Sequence, residues 1–145
     1  MSLTWTLESP AFWDADKARI IGGAPKGAVL VVDPGPGVVL PGQWWRVERA
    51  GKVVAYGWMD VVWGDGETTL AVDPAVQEGG VGTWVLEQLE AEAGRQGLNY
   101  IYNTVRPNHP LRDAVTAWLE ARNFERASDR ERLQRPVRTP RSALP

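Results

Sequence analysis

The stretch ETTLAVDPAVQEGGVGTWVLEQLEAEAGRQGLNYIYNTV, Glu67–Val105, decides the fold. Glu67–Asp73 reads as a strand. Val81, Val85, Leu89 and Ala93 then recur every four residues and Leu86 widens the stripe, while Glu87, Glu90 and Glu92 are placed toward water. That pattern predicts an amphipathic helix, and Gly97 stands where its C-terminal cap belongs. Leu98–Val105 reads as a second strand. Strand, helix, strand is a crossover, which makes the two strands near neighbours and roughly parallel. Gly79, Gly80 and Gly82 sit where the helix begins. A helix N-terminus carries unpaired N–H groups and a partial positive charge, both of which favour a phosphate. Glycine lets a ligand reach such a backbone without meeting a Cβ. The turn therefore suits a phosphorylated cofactor. It is not a Walker A loop, because GGVGTW lacks the lysine, and its glycines are not spaced as in the dinucleotide fingerprint.

Working upstream, Trp44–Arg49, a turn at Ala50-Gly51-Lys52 and Val53–Trp63 read as a hairpin. A second turn at Gly64–Gly66 leads into Glu67–Asp73, completing an antiparallel meander. Leu3–Ser9 reads as a first strand. A helix follows, with Ser9 as cap and Pro10 in the first position, running to about Ile21 and stopping at Gly22-Gly23. Ala28–Asp33 is a short strand candidate and Pro34–Gly42 a loop. Downstream, Leu111–Arg122 is a second amphipathic helix, with Leu111, Val115, Trp118 and Leu119 apolar. FERAS (Phe124–Ser128) and RERLQRPV (Arg130–Val137) form a closing strand pair. The expected fold class is thus α/β with a mixed sheet: a meander, then a crossover. Residues 1–133 are expected to form a single domain and 134–145 a mobile Arg/Pro-containing tail.

With 145 residues the chain suits one core, and its net charge of −2 gives no drive toward nucleic acid or anionic membranes. It has no cysteine, which excludes disulfides, thiolate metal sites and a cysteine nucleophile. His109 is the only histidine, so no metal is expected, and His109 itself reads as a surface or capping residue. No signal peptide and no run of ~18 apolar residues is seen, so a cytoplasmic location is expected. Among the eight tryptophans, Trp44, Trp45, Trp58 and Trp63 fall close together. Core packing is the preferred reading, and a wall for a ligand is the other.

Gln77-Glu78-Gly79-Gly80-Val81-Gly82 reads Q-x-x-G-x-G, between a strand ending LAVDP and an amphipathic helix. With the preceding meander, the following strand, Asn108 and a helix ending in Asn123-Phe124, this resembles the GNAT N-acetyltransferase superfamily, whose coenzyme A loop is [RQ]-x-x-G-x-[GA]. The resemblance covers roughly Trp44 to Phe124. It implies acetyl-CoA as co-substrate and transfer of the acetyl group, by direct attack, to a primary amine of a small molecule or peptide. No nucleic acid or membrane partner is implied, and a homodimer stays open. Gln77 opens the motif, and the backbone N–H groups of Glu78, Gly79, Gly80, Val81, Gly82 and Thr83 would hold the pyrophosphate. Ala71 and Val72 would pair by main chain with the pantetheine arm, Asn108 would bond it from the other side, and the two parallel strands would splay to admit it. The Val72 N–H would face the oxyanion. Glu67 would be the general base, with Asp60 as second choice, because an amine of pKa ~10.4 must lose a proton to attack. Trp58, Asp60 and Trp63 would line the acceptor site.

Two departures from the family pattern stand out. Glu78 sets a carboxylate beside the pyrophosphate. Trp118 or Leu119 occupies the place of the tyrosine that in many members protonates the leaving thiolate. A thiol pKa of ~8.5 makes the thiolate a tolerable leaving group unaided. Water, Tyr56 or Tyr102 remain as donors. The alternative function is a non-catalytic GNAT-like module that binds acyl-CoA as a sensor, or an interaction scaffold that binds none.

Overall fold

The computed structural model describes residues 2–24, 33–76, 79–128 and 131–138. Among the described residues seven strands form one sheet in the order β1-β2-β3-β4-β5-β7-β6. They are β1 (Leu3–Glu8), β2 (Gln43–Arg49), β3 (Lys52–Val62), β4 (Asp65–Val72), β5 (Tyr100–Thr104), β6 (Glu125–Arg126) and β7 (Arg132–Pro136). Only the β4–β5 pair is parallel, as a crossover through α2 (Val81–Arg95) requires. The mixed sheet, the meander β2–β3–β4 and the crossover are as the sequence predicts. Among the described residues no helix is long and apolar enough to cross a membrane.

The two faces of the sheet carry separate cores. On one, Val81, Val85 and Leu89 of α2 are fully buried against Val47, Met59 and Ile101, with Leu119 of α3 (Arg112–Glu120) in the same cluster. Burial of each such side chain contributes about 1.5–3 kcal/mol. The helix lies close because Gly57 has no side chain: a Cβ there would come within 2.9 Å of Val85 Cγ1. On the other face, Ile20 and Ile21 of α1 (Ala15–Gly22) pack with Tyr56 and Ala71. Trp44 and Trp58 stack there with centroids 4.4 Å apart, so both serve the core.

Several expectations are corrected. The first helix begins at Ala15, not Pro10: Asp14 is its cap, and its carboxylate accepts the Lys17 N–H at 2.9 Å. Residues 11–13 instead pair with the proline-rich loop, through Leu40 N–H to Ala11 O (2.8 Å) and Trp13 N–H to Val38 O (2.9 Å). Glu90 is buried rather than facing water, where Arg135 and Arg138 bind it. β7 continues to Pro136, past the boundary expected at 133. Residues 28–32 of the Ala28–Asp33 strand candidate lie outside the described residues, as do residues 139–145 of the tail.

The second hairpin turn is Trp63-Gly64, one residue earlier than read, since Val62 already pairs with Asp65. Both turn residues have positive φ, 52° and 80°. A two-residue turn of this hand favours asparagine or glycine in the first place. Tryptophan there is costly, and Trp63 is 98% exposed, so packing offsets nothing. Trp63→Asn is expected to stabilise the protein by about 1 kcal/mol, a rise of about 3 °C in Tm. A lower Tm would refute the strain.

Candidate active site

The β4–β5 ladder covers only Gly66↔Ile101 and Glu67↔Tyr102. Were it to continue, the Thr68 carbonyl would accept from the next inward-facing β5 amide. Instead the Asn103 side-chain amide donates to it at 2.8 Å, and the strands part. From Leu70 to Val72 the β5 side of β4 has no strand partner among the described residues. On the β3 side, Asp73 N–H donates to Val54 O at 2.8 Å. Successive residues of a strand turn their peptide groups to opposite sides. Leu70 and Val72 therefore direct N–H and C=O into the gap, and Ala71 directs its own to β3, opposite Tyr56. Of the two residues expected along the gap, Val72 faces it by main chain, and Leu70 stands where Ala71 was placed.

The gap leads to the glycine turn. Asp73, 5% exposed, fixes the chain after β4 by accepting from Ala75 N–H at 3.0 Å and pairing with Arg19. Gln77 and Glu78 lie outside the described residues. Gly79 (φ 96°) and Gly80 (φ 79°) adopt the left-handed conformation, and a Cβ on either would meet no atom within 4 Å. The glycines thus serve the backbone path, and the space beside them is open. Gly80 caps α2 with no side-chain hydrogen bond, and the first intrahelical bond is Trp84 N–H to Gly80 O at 3.0 Å. The amides of Val81, Gly82 and Thr83 therefore project from the helix end without intrahelical acceptors. This cradle fits an anionic group that approaches the main chain closely.

At the closed end of the gap, Asp60, Glu67 and Tyr102 are successive cross-strand neighbours on the α1 face. Glu67 Oε2 accepts from Thr104 Oγ1 at 3.3 Å. Arg132 stacks 3.9 Å over the Tyr102 ring and pairs with Asp65 at 2.7 Å. Burial raises the pKa of the Tyr102 hydroxyl, the Glu67 charge raises it further, and Arg132 opposes both. Tyr56 is fully buried beneath Lys17, its hydroxyl has no partner among the described residues, and burial pushes its pKa up. Of the two tyrosines left open as donors, only Tyr102 adjoins Glu67.

Other candidates are more dispersed. Trp58 shares the face of Asp60, but its ring is 6% exposed and stacked on Trp44. Trp63 stands at the opposite end of β4 from the glycine turn. Asn108 is exposed in the turn after β5. Next to it His109 Nδ1 accepts the Leu111 N–H at 2.9 Å, the capping role expected of it. Trp118 is half-buried beside Gly82, and Leu119 is in the core. Among the described residues no group of three His, Asp or Glu side chains is placed to hold a metal ion.

The sequence profile of the acetyltransferase (GNAT) domain matches residues 41–126, from the entry to β2 through β6. The chain belongs to the GNAT acetyltransferase family. The gap, the glycine turn and Glu67 all lie within the GNAT segment, whereas β1, α1 and β7 flank it. Solved structures share the fold. N-acetylglutamate synthase from Neisseria gonorrhoeae, complexed with coenzyme A and N-acetyl-glutamate, gives a TM-score of 0.70 at 18% identity over 93% of this chain and 35% of its own. The ribosomal-protein-S18-alanine N-acetyltransferase of Escherichia coli gives 0.56 at 17% identity, over 97% and 99%. A phosphinothricin acetyltransferase from Sinorhizobium meliloti, in complex with AcCoA, gives 0.53 at 17% identity, over 72% and 65%. No curated protein sequence matches the chain.

Two residues of the site escaped the sequence reading. Asn103 was visible as an amide inside the apolar run YIYNTV, a poor strand former where a strand was expected. Thr104 carries no such signal, since threonine is common in strands.

Proposed function

We propose that the protein is an N-acetyltransferase that moves an acetyl group from acetyl-CoA to a primary amine of a small molecule or peptide. The observation that carries this reading is the continuity of two binding surfaces. The unpaired Leu70–Val72 edge of β4 runs directly into the open glycine turn and the bare amides of α2. An extended arm can pair with the first while a diphosphate rests on the second.

Bound acetyl-CoA would supply a thioester, whose C–S bond breaks as the amine nitrogen forms the C–N bond, sulfur leaving with the electron pair as a thiolate. The protein's part is positioning, charge and proton transfer. Val81, Gly82 and Thr83 present their amides to the diphosphate, and Gly79 and Gly80 give it access. In the sequence Gln77 and Glu78 complete this turn. Val72 offers an inward N–H for the oxyanion. Glu67, directly or through water, takes the proton that the nitrogen sheds. Asp60, with the exposed ring of Trp63 near the same end of β4, favours a cationic acceptor in that region, while Trp58 is spent in the core. Asn108, in the turn after β5, would bond the arm from the β5 side. The fold and the CoA-bound relatives support the coenzyme; the acceptor class rests on the carboxylates at the closed end.

The test is calorimetric titration with acetyl-CoA, followed by thiol release across a panel of small amines and N-terminal peptides. Saturable binding with amine-dependent thiol release is expected. Binding without release for any amine would favour the non-catalytic sensor reading, and no binding would remove both.

A further inference from the structure

Arg122, just past the C-terminus of α3, reaches across to the N-terminus of α2. Its Nε and Nη2 both donate to Thr83 Oγ1, at 3.1 and 2.8 Å, and its Nη1 donates to the Trp118 carbonyl at 2.8 Å. The guanidinium carbon sits over the Trp118 ring, 3.8 Å from its centroid. Trp118 in turn adjoins the glycine turn: its Cζ2 is 3.7 Å from where a Cβ on Gly82 would stand.

Part of this is ordinary helix chemistry, since a cation suits the C-terminus of α3. The placement against α2 is not, because there the same charge meets the positive end of a helix dipole. All three hydrogen bonds end on neutral oxygens, and among the described residues no carboxylate is a partner of Arg122. A guanidinium has five N–H donors, so each terminal nitrogen keeps one unspent. The indole fixes the fork, and Thr83 holds it against the first turn of α2, which carries the bare amides of Val81 and Gly82.

We propose that Arg122 is a binding residue for the coenzyme diphosphate, held ready by Thr83 and Trp118; this rests on the acetyl-CoA reading of the same site. An oxyanion at the α2 terminus would take the unspent N–H groups as charge-assisted hydrogen bonds and relieve the repulsion between guanidinium and dipole. The chain thereby adds a side-chain cation from a distant helix to a site otherwise built of main-chain amides.

The experiment compares wild type with Arg122→Gln on three ligands: acetyl-CoA, acetyl-dephospho-CoA and S-acetylpantetheine. Arg122→Gln is expected to weaken the first two about 30-fold and the third by under about twofold. Equal losses on all three would reduce Arg122 to a tie between helices and overturn the proposal. A loss on acetyl-CoA alone would move the contact to the 3′-phosphate and overturn the diphosphate assignment. If Arg122→Gln fails to fold, Arg122→Lys carries the same comparison, with an expected loss of about fivefold confined to the diphosphate ligands. A wild type that binds none of the three would fail at the acetyl-CoA reading itself, a result distinct from any pattern among the variants.

Discussion

Replacing Glu90 with leucine is expected to lower Tm by about 10 °C, corresponding to about 3 kcal/mol. The Glu90 carboxylate is 7% exposed and sits between two arginines. Arg135 Nη2 donates to it at 3.1 Å and Arg138 Nη2 at 2.6 Å. The partners differ in what they lose. The Arg138 side chain is 65% exposed, so water can replace the carboxylate there. The Arg135 side chain is 8% exposed, and burial pushes its pKa down while Glu90 holds it up. Without Glu90 it keeps the Arg122 carbonyl at 2.7 Å and the Phe124 ring at 5.0 Å, but among the described residues no ion-pair partner, Glu87 acting on it only weakly. A stranded buried charge is far costlier than an absent pair. Glu90→Leu combined with Arg135→Met should therefore recover most of the lost Tm. A double variant as unstable as the single would show that packing, not charge, is what Glu90 supplies.

Glu90 also marks the limit of reading this fold from its sequence. The α2 stripe is local, repeating every four residues, and it correctly fixed the helix, the crossover and hence the parallel β4–β5 pair. The same period placed Glu90 toward water. Its true surroundings are set by β7, whose Arg135 lies 45 residues on and meets α2 only through the tertiary fold. The start of α1 failed in the same way. Ser9-Pro10 is a sound local start signal, but residues 11–13 are taken by a loop that pairs with them from beyond residue 36. At the site, the glycine turn was legible because backbone conformation and anion affinity are both properties of a few adjacent residues. The splay of the parallel strands beside it was expected only through the family resemblance; its cause was not legible, because Asn103 ends the ladder through a carbonyl on another strand. Arg122 was hidden for the same reason: its meaning lies in Thr83, 39 residues away.

Glu67→Gln is expected to reduce kcat for an alkylamine acceptor at pH 7 by about 100-fold, with the KM for acetyl-CoA nearly unchanged. Glutamine keeps the size of the side chain and still accepts from Thr104 Oγ1 through its amide oxygen. What it cannot do is take a proton. An amine of pKa ~10.4 is almost wholly protonated at pH 7, and the neutral fraction grows tenfold with each pH unit. If Glu67 receives the proton, the deficit of the variant should shrink as pH rises from 7 to 9, because more acceptor then arrives already neutral. The rival reading gives Glu67 only a structural part, bracing β5 through Thr104 where the strands separate. Under that reading the deficit would not depend on pH, and Thr104→Val would reproduce it. Asp60→Asn supplies the remaining comparison. Asp60 is the cross-strand neighbour of Glu67 and exposed, so its loss should weaken capture of a cationic acceptor and raise the acceptor KM several-fold, leaving kcat close to wild type. A large fall in kcat for Asp60→Asn, beside an unaffected Glu67→Gln, would exchange the roles of the two carboxylates.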